Sequence, residues 1–460
     1  MLIEGKKNSL MTTGTIWKRL LFFSLPLLLG NVFQLLYTTA DSIFMGQFVG
    51  VDALAAVGAS SPLINLLISF FMGLSTGAGI IIARFRGENK MAELEDAVHT
   101  MIAFTIIIGL VLMVVGILLS PVLLLMLNTP LNIMGDAVLF LRVYFMGIMG
   151  LVLYNAGAGI LQAMGDSRTS LYILIISFVV NVLLDFWFVV GLQWGIGGIA
   201  GATFVAQMIS CGLTLWKLKL GHDGMSLKFK KIRLHREMLA RIVVVGVPTG
   251  IQQMIISLSN VLVQSYVNVF GEAAIAGFNA ASTLNNFLGL PATSFGLAIT
   301  TFTSQNIGAK QMDRVRQGVK TCCFMGLVTM ILIGIPAFVF APESVRIFTS
   351  DASVIDYGVQ MIRVLTPFYT ALCLSNVLTG YIRGAGNTRA PMFIFIFSYT
   401  VVRQILLFIA MPLFKSIDVV FWSYSITWVI AMLLSFYYYR NAQWLKELNA
   451  APVQYSKEAS

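Results

Sequence analysis

Twelve stretches of this chain are each long and apolar enough to cross a lipid bilayer as a helix. They run over residues 17–45, 54–84, 97–120, 133–161, 170–191, 196–218, 238–268, 274–306, 318–340, 353–381, 391–413 and 418–439. A helix needs about 20 apolar residues to span a hydrocarbon core of roughly 30 Å. Inside that core each backbone polar group must be satisfied within its own segment, which confines such a chain to helices. Several spans exceed 25 residues, which implies tilt, bends or extension beyond the bilayer. The composition agrees, with 58% hydrophobic and only 11% charged residues, where soluble domains carry about 25% charged. An ordinary cytosolic enzyme, a nucleic-acid-binding protein and a disordered chain are thereby excluded. The 460 residues leave no room for a separate soluble domain. The first apolar segment runs on from Pro26 to Phe48 without a small-residue cleavage site, so it is not a signal peptide.

Lysine and arginine set the expected orientation. With the N-terminus inside, 25 of the 30 basic residues fall in tails and connections on the cytoplasmic side. The other five are Arg142, Arg346, Arg363, Arg403 and Lys415. Both termini are therefore expected in the cytoplasm of a multi-pass plasma-membrane protein, most simply a bacterial one. The organisation reads as a cytoplasmic tail (1–16), a first lobe of six helices (17–220), a basic linker (221–237), a second lobe (238–440) and a second cytoplasmic tail (441–460). The basic run from Lys228 to Arg241 is expected to lie on the anionic inner leaflet. No basic surface domain exists to bind nucleic acid.

The two lobes are internal repeats. At an offset of 221 residues, Gly50 meets Gly271, Gly87 meets Gly308, Pro121 meets Pro342, Arg142-Val143 meets Arg363-Val364, and Gly165-Asp-Ser-Arg168 meets Gly386-Asn-Thr-Arg389. Pro26 meets Pro248 within one residue. An even number of spans per repeat makes the lobes parallel, related by an axis along the membrane normal. Two such lobes with a cleft between them suit alternating access. The expected fold class is all-α and polytopic, with twelve transmembrane helices in two six-helix lobes.

Charges inside apolar spans are costly, and they mark function by default. Of 20 carboxylates, only Asp41 and Asp185 lie within spans rather than at their ends. Both fall about 10 Å below the outer surface at 1.5 Å of rise per residue. Thr203 reaches a similar depth from the other direction, and Asn181 lies one turn below Asp185 on the same face. Asp41, Asn181, Asp185 and Thr203 are thus expected to converge into an all-oxygen cluster suited to a proton, Na⁺ or both. The bland reading is two separately hydrogen-bonded aspartates that hold helices together.

Two polar stripes run at helical spacing. Asn31, Gln34, Thr38 and Asp41 share one face of the first span, with Tyr37 beside them. Gln253, Ser257, Asn260, Gln264 and Asn268 share a face of the seventh. Such stripes do not face lipid cheaply. They line a substrate cavity or bond neighbouring helices. Arg403, deep in the eleventh span, either contacts an anionic substrate or pairs within its lobe. Substrate-cavity candidates are therefore Asn31, Gln34, Tyr37, Gln253, Asn260, Gln264 and Arg403. Pro26 and Pro248 are expected to bend their spans, as hinges or as static kinks. The 23 methionines and the cysteines Cys211, Cys322, Cys323 and Cys373 read as packing residues. Gly73/Gly77, Gly197/Gly201 and Gly246/Gly250 are pairs that permit close helix contact.

Enzyme motifs match by letter alone. Gly73-Leu-Ser-Thr-Gly77 fits GxSxG but lies inside a span. Gly195-Ile-Gly-Gly-Ile-Ala200 resembles a dinucleotide fingerprint but is an inter-span turn. No Walker loop is present, so ATP is not the direct energy source.

Beyond these physical arguments, the run from Pro26 to Gly46, PLLLGNVFQLLYTTADSIFMG, resembles the first helix of the multidrug and toxic compound extrusion (MATE) transporters. Ala53-Leu-Ala-Ala-Val-Gly58, Gln162-Ala-Met-Gly-Asp-Ser-Arg168 and Arg383-Gly-Ala-Gly-Asn-Thr-Arg389 are similar to further parts of that family. The resemblance covers roughly residues 15 to 440. It implies a twelve-helix antiporter that exports organic, often cationic, compounds against Na⁺ or H⁺ and uses no cofactor. It also implies that Asp41, Asn181, Asp185 and Thr203 match the first-lobe cation site of the DinF-like branch. Other branches place the coupling carboxylates in the second lobe; here those positions are Leu262 and Leu406.

The expected function is secondary-active multidrug efflux by a monomer whose partners are small organic molecules and membrane lipids, with neither nucleotide nor nucleic acid. The alternative within the superfamily is a flippase for a lipid-linked precursor or polysaccharide, which a strongly basic cleft would favour. An intramembrane enzyme lacks a convergent nucleophile or metal set. A receptor has no need of the duplication.

Overall fold

The computed structural model describes residues 10–221 and 224–441. The outer parts of both tails, with His222 and Asp223, lie outside the described residues. Within them the chain is all helix, with no β-sheet. The first half holds α1 (Ile16–Phe44), α2 (Val51–Glu88), α3 (Met91–Met126), α4 (Leu131–Ala163), α5 (Ser167–Asp185) and α6 (Gly195–Leu220). The second holds α7 (Arg236–Val267), α8 (Glu272–Gly308), α9 (Met312–Val339), the short α10 (Ala341–Arg346), α11 (Ala352–Leu365), α12 (Tyr369–Gly384), α13 (Arg389–Phe395), α14 (Arg403–Phe414) and α15 (Asp418–Arg440). A 3-10 turn joins α11 to α12, and a π-helical segment joins α13 to α14, so each pair makes one span.

Eleven spans among the described residues are both long and apolar enough to cross a membrane. The twelfth, α8, is long enough but carries Ser294, Thr300, Thr301, Thr303, Ser304, Gln305 and Asn306, all buried. Packed on several sides by other helices, it does not need an apolar surface of its own. Pro26 and Pro248 both sit inside unbroken helices.

The repeat extends to the turns. Gly50 and Gly271, at φ +127° and +88°, make the corresponding turns into α2 and α8. Gly165 and Gly386 match at φ +94° and +101°, a region that favours glycine. Each is followed by a helix cap: Asp166 accepts from the Thr169 amide at 3.0 Å, and Asn387 accepts from the Ala390 amide at 3.1 Å. The shared Gly-Asp/Asn-Ser/Thr-Arg pattern is thus a turn and a cap. Replacing Asp166 with Ala should cost about 1 kcal/mol, read as a lower thermal midpoint; an unchanged midpoint would show that the cap is dispensable.

Packing crosses the division between the halves. Leu20, Phe23 and Leu27 of α1 join the core of the second half. Met238, Ile242 and Val245 of α7 join a core of the first. Each leading helix therefore lends the end nearest the linker to the opposite half.

The linker is docked on α3. His99 is buried, with Nδ1 2.6 Å from the Glu95 carbonyl and Nε2 accepting from the Lys228 amide at 3.1 Å. Lys228 and Lys231 pair with Glu95 at 3.1 and 3.3 Å. These two lysines are engaged by a carboxylate of α3. Because His99→Ala leaves the Lys228 amide without its acceptor, it should cost about 1–3 kcal/mol. Thermal unfolding in detergent measures this, and a wild-type midpoint would refute the role.

Candidate functional site

Asp41, Asn181, Asp185 and Thr203 meet where α1, α5 and α6 come together. Thr203 Oγ1 donates to Asp41 Oδ2 at 3.4 Å. The Asp41 side chain also contacts those of Asp185 and Asn181. Asn181 and Asp185 are 0% exposed and Thr203 4%. Seven buried polar atoms here have no hydrogen-bond partner among the described residues: Tyr37 Oη, Asp41 Oδ1, Asn181 Nδ2 and Oδ1, both Asp185 oxygens and Gln207 Oε1. Buried polar groups are almost always paired, and two close carboxylates carry the added cost of mutual repulsion. A proton or a small cation among these oxygens relieves both problems.

Three members of this cluster were not placed there by sequence. Tyr37 packs with Asp41 and Thr203 and is not among the residues lining the cavity beside Asn31 and Gln34. Tyr144 of α4 approaches Asp41 and Gln207. Gln207 lies one helical turn after Thr203, a spacing that carried its signal. Room for it comes from Gly147, where a Cβ would stand 2.5 Å from Gln207 Oε1.

Backbone irregularity marks the same places. The π-helical segment Met45–Val49 begins one turn after Asp41, and another, Phe186–Gly191, follows Asp185 directly. A third, Ile396–Val402, ends immediately before Arg403. Such segments are rare and concentrate at functional sites. Their wider turn changes the face presented by the residues beyond.

A cavity of about 110 Å³ is lined by Pro26, Asn31 and Gln34 of α1 with Ser75, Thr76, Tyr154, Asn155 and Gln162. Asn31 Nδ2 also donates to Ser294 Oγ at 3.4 Å. Ligand sites typically hold roughly 300–1,000 Å³, so this cavity must enlarge to take a drug-sized molecule. Gln253, Asn260, Gln264 and Arg403 do not line it. Gln253 and Asn260 are exposed and Gln264 partly so. Such a stripe is costly against lipid, so water or other polar groups are expected around it. Arg403 is 1% exposed, enclosed in its own half rather than lining a cleft.

Near the linker end the halves are closed. Gly73 and Gly77 of α2 meet Gly250 and Gly246 of α7 with backbone against backbone. Ser304 Oγ donates to the Ile80 carbonyl at 2.6 Å and Gln305 Nε2 to the Ala163 carbonyl at 2.8 Å. The Met11 amide donates to Gln305 Oε1 at 2.9 Å.

Comparison with known proteins accounts for this architecture. The MatE sequence profile matches residues 26–187 and again residues 248–409. The chain belongs to the MatE family. Membership makes it a multi-pass membrane transporter and not an enzyme. Among MatE relatives, the probable multidrug resistance protein YoeA of Bacillus subtilis is 28% identical over 450 residues, covering 95% of this chain and 96% of its own. The probable multidrug resistance protein NorM of Thermotoga maritima is 24% identical over 404 residues, covering 87% of each. A multidrug resistance MATE family transporter of the MOP superfamily, solved in an outward-facing conformation, superimposes with a TM-score of 0.89 at 21% identity, covering 96% of this chain and 98% of its own. That match carries the twelve-helix, two-lobed MATE fold.

Proposed function

We propose that the chain exports organic, cationic compounds by antiport against H⁺ or Na⁺, with Asp41, Asn181, Asp185 and Thr203 as the coupling site. The observation that carries this reading is the pair of close carboxylates, Asp185 buried and Asp41 half-buried, with buried unpartnered oxygens, confined to one half of a duplicated transporter. A coupling ion must be bound and released, and a site left short of hydrogen bonds without its ion is suited to that. The names of YoeA and NorM support multidrug compounds as cargo. The linker end, rich in lysine and arginine, is assigned to the cytoplasm, so the described state is sealed inward. Ion binding from outside repacks α1 around Asp41, contracts the cavity beside Asn31 and Gln34 and expels cargo outward. The halves then rock to reopen inward. A lipid-precursor flippase is disfavoured because Arg403, the charge that hinted at a basic cleft, is enclosed.

Reconstituted vesicles test the reading. A Na⁺ or a pH gradient, imposed separately, should drive efflux of cationic dyes. Indifference to both gradients across a dye panel would overturn the antiport.

A further inference from the structure

The second half holds a buried cation of its own where the first half holds its carboxylates. At the offset of 221, Asp41, Asn181, Asp185 and Thr203 correspond to Leu262, Val402, Leu406 and Tyr424. No carboxylate survives at these positions. Arg403 follows Val402 directly, and its guanidinium occupies the same junction. Nη1 donates to Asn260 Oδ1 of α7 at 3.2 Å, and Nη2 donates to Thr427 Oγ1 of α15 at 3.2 Å. The charge centre lies 4.2 Å from the Tyr424 ring centroid and 5.5 Å from that of Tyr399. Every carboxylate from residue 236 to residue 440 lies within the first five residues of a helix or just before one, remote from Arg403 at the start of α14. The charge is held by neutral oxygens and aromatic faces, the ligands a free cation would use.

The three-helix geometry repeats as well. In the first half, α1, α5 and α6 are joined through Asp41, Asp185 and Thr203. In the second, α7, α14 and α15 are joined through Asn260, Arg403 and the Tyr424/Thr427 pair. Ser259 Oγ adds a tie from α7 to the Tyr399 carbonyl at 2.6 Å.

We propose that Arg403 is a built-in cation that permanently fills, in the second half, the place that the coupling ion fills transiently in the first. This rests on the coupling reading for its comparison with the first half. A tethered guanidinium never leaves, so α7 stays clipped to α14 and α15 throughout the cycle. The second half then acts as the fixed body, and the first half alone responds to the ion. One half, not two, takes up coupling ions per turnover.

Charge and shape separate in two variants. Arg403→Lys keeps the charge, whereas Arg403→Met keeps much of the volume without it. The proposal expects Lys to retain most of the thermal midpoint and export rate, and Met to lose several degrees and about tenfold in rate, the scale of lost charged hydrogen bonds. In Arg403→Ala, millimolar guanidinium should restore midpoint and export, with choline at equal ionic strength as the control. The half-saturating ion concentration should stay at its wild-type value in Arg403→Lys, because the ion binds elsewhere. Equal behaviour of Met and Lys, guanidinium no better than choline, or a shifted ion dependence in Arg403→Lys would each overturn the proposal. If Arg403→Ala does not fold, the Lys–Met comparison decides. Normal gradient-driven export by Asp41→Asn would instead remove the coupling reading, and the thermal comparisons at Arg403 would still report on the clip.

Discussion

Asp41→Asn and Asp185→Asn should each abolish gradient-driven export while leaving the protein inserted and folded. Asparagine keeps the shape of the side chain and can pair with Thr203 or Asn181, but it removes one of the two charges that attract the ion. A charged hydrogen-bond or ion contact contributes about 1.5–3 kcal/mol, so ion affinity should fall roughly 10- to 100-fold. Folding stability should hold, because the change relieves repulsion between two carboxylates that contact one another. The measurement is dye efflux from vesicles under an imposed Na⁺ or pH gradient, with a thermal midpoint on the same preparation. Coupled export at the wild-type rate in both variants would sink the coupling assignment. A collapsed midpoint would instead favour the bland reading, in which the aspartates merely hold helices together.

Gly77→Val should unseat the seal toward the linker end. Any Cβ at Gly77 falls within contact distance of the Gly246 backbone, so α2 and α7 must separate. Overpacking of this kind costs about 1–3 kcal/mol. Applied to one of two conformations, that shifts their balance by roughly 5- to 150-fold. The sealed state stands to lose, because these backbones are in contact in it. Export should drop by about tenfold or more, and Thr301→Cys, introduced at the cavity wall, should become reactive to a thiol reagent applied from the linker side. Normal export with an unreactive cysteine would show that the two helices tolerate separation and that the glycines do not form the seal.

Much of the candidate site is legible in the amino-acid sequence. Asp41 and Asp185 stand out because a carboxylate inside an apolar span has few physical excuses. Helical rise then places Asn181 and Thr203 at the same depth. Gln207 has a periodic signal, one turn after Thr203, but many polar residues share such a spacing without meeting a carboxylate. Tyr144 has none, since its span faces several neighbours and periodicity does not say which. Tyr37 carries the signal of a polar stripe, yet it turns into the carboxylate cluster while Asn31 and Gln34 line the cavity. A stripe about a third of a turn wide leaves that choice to packing.

Arg403 marks the boundary most sharply. Its position in an apolar span announces that something must hold the charge. Whether the holder is cargo or protein depends on Asn260, Tyr424 and Thr427, more than 140, 20 and 20 residues away respectively. The sequence by itself determined the helices, their number, the duplication and the unusual buried charges. Those follow from local costs: a backbone in hydrocarbon must be helical, and an ionised side chain there must be compensated. Only the tertiary structure decided that α1 and α7 exchange ends between the halves, that the linker docks on Glu95 and His99, that glycine pairs close the halves toward the linker end, and that Asp41 and Asp185 meet in the first half while Arg403 is enclosed in the second. These depend on which helix meets which, a choice made by the shape of whole surfaces and therefore invisible to any single segment.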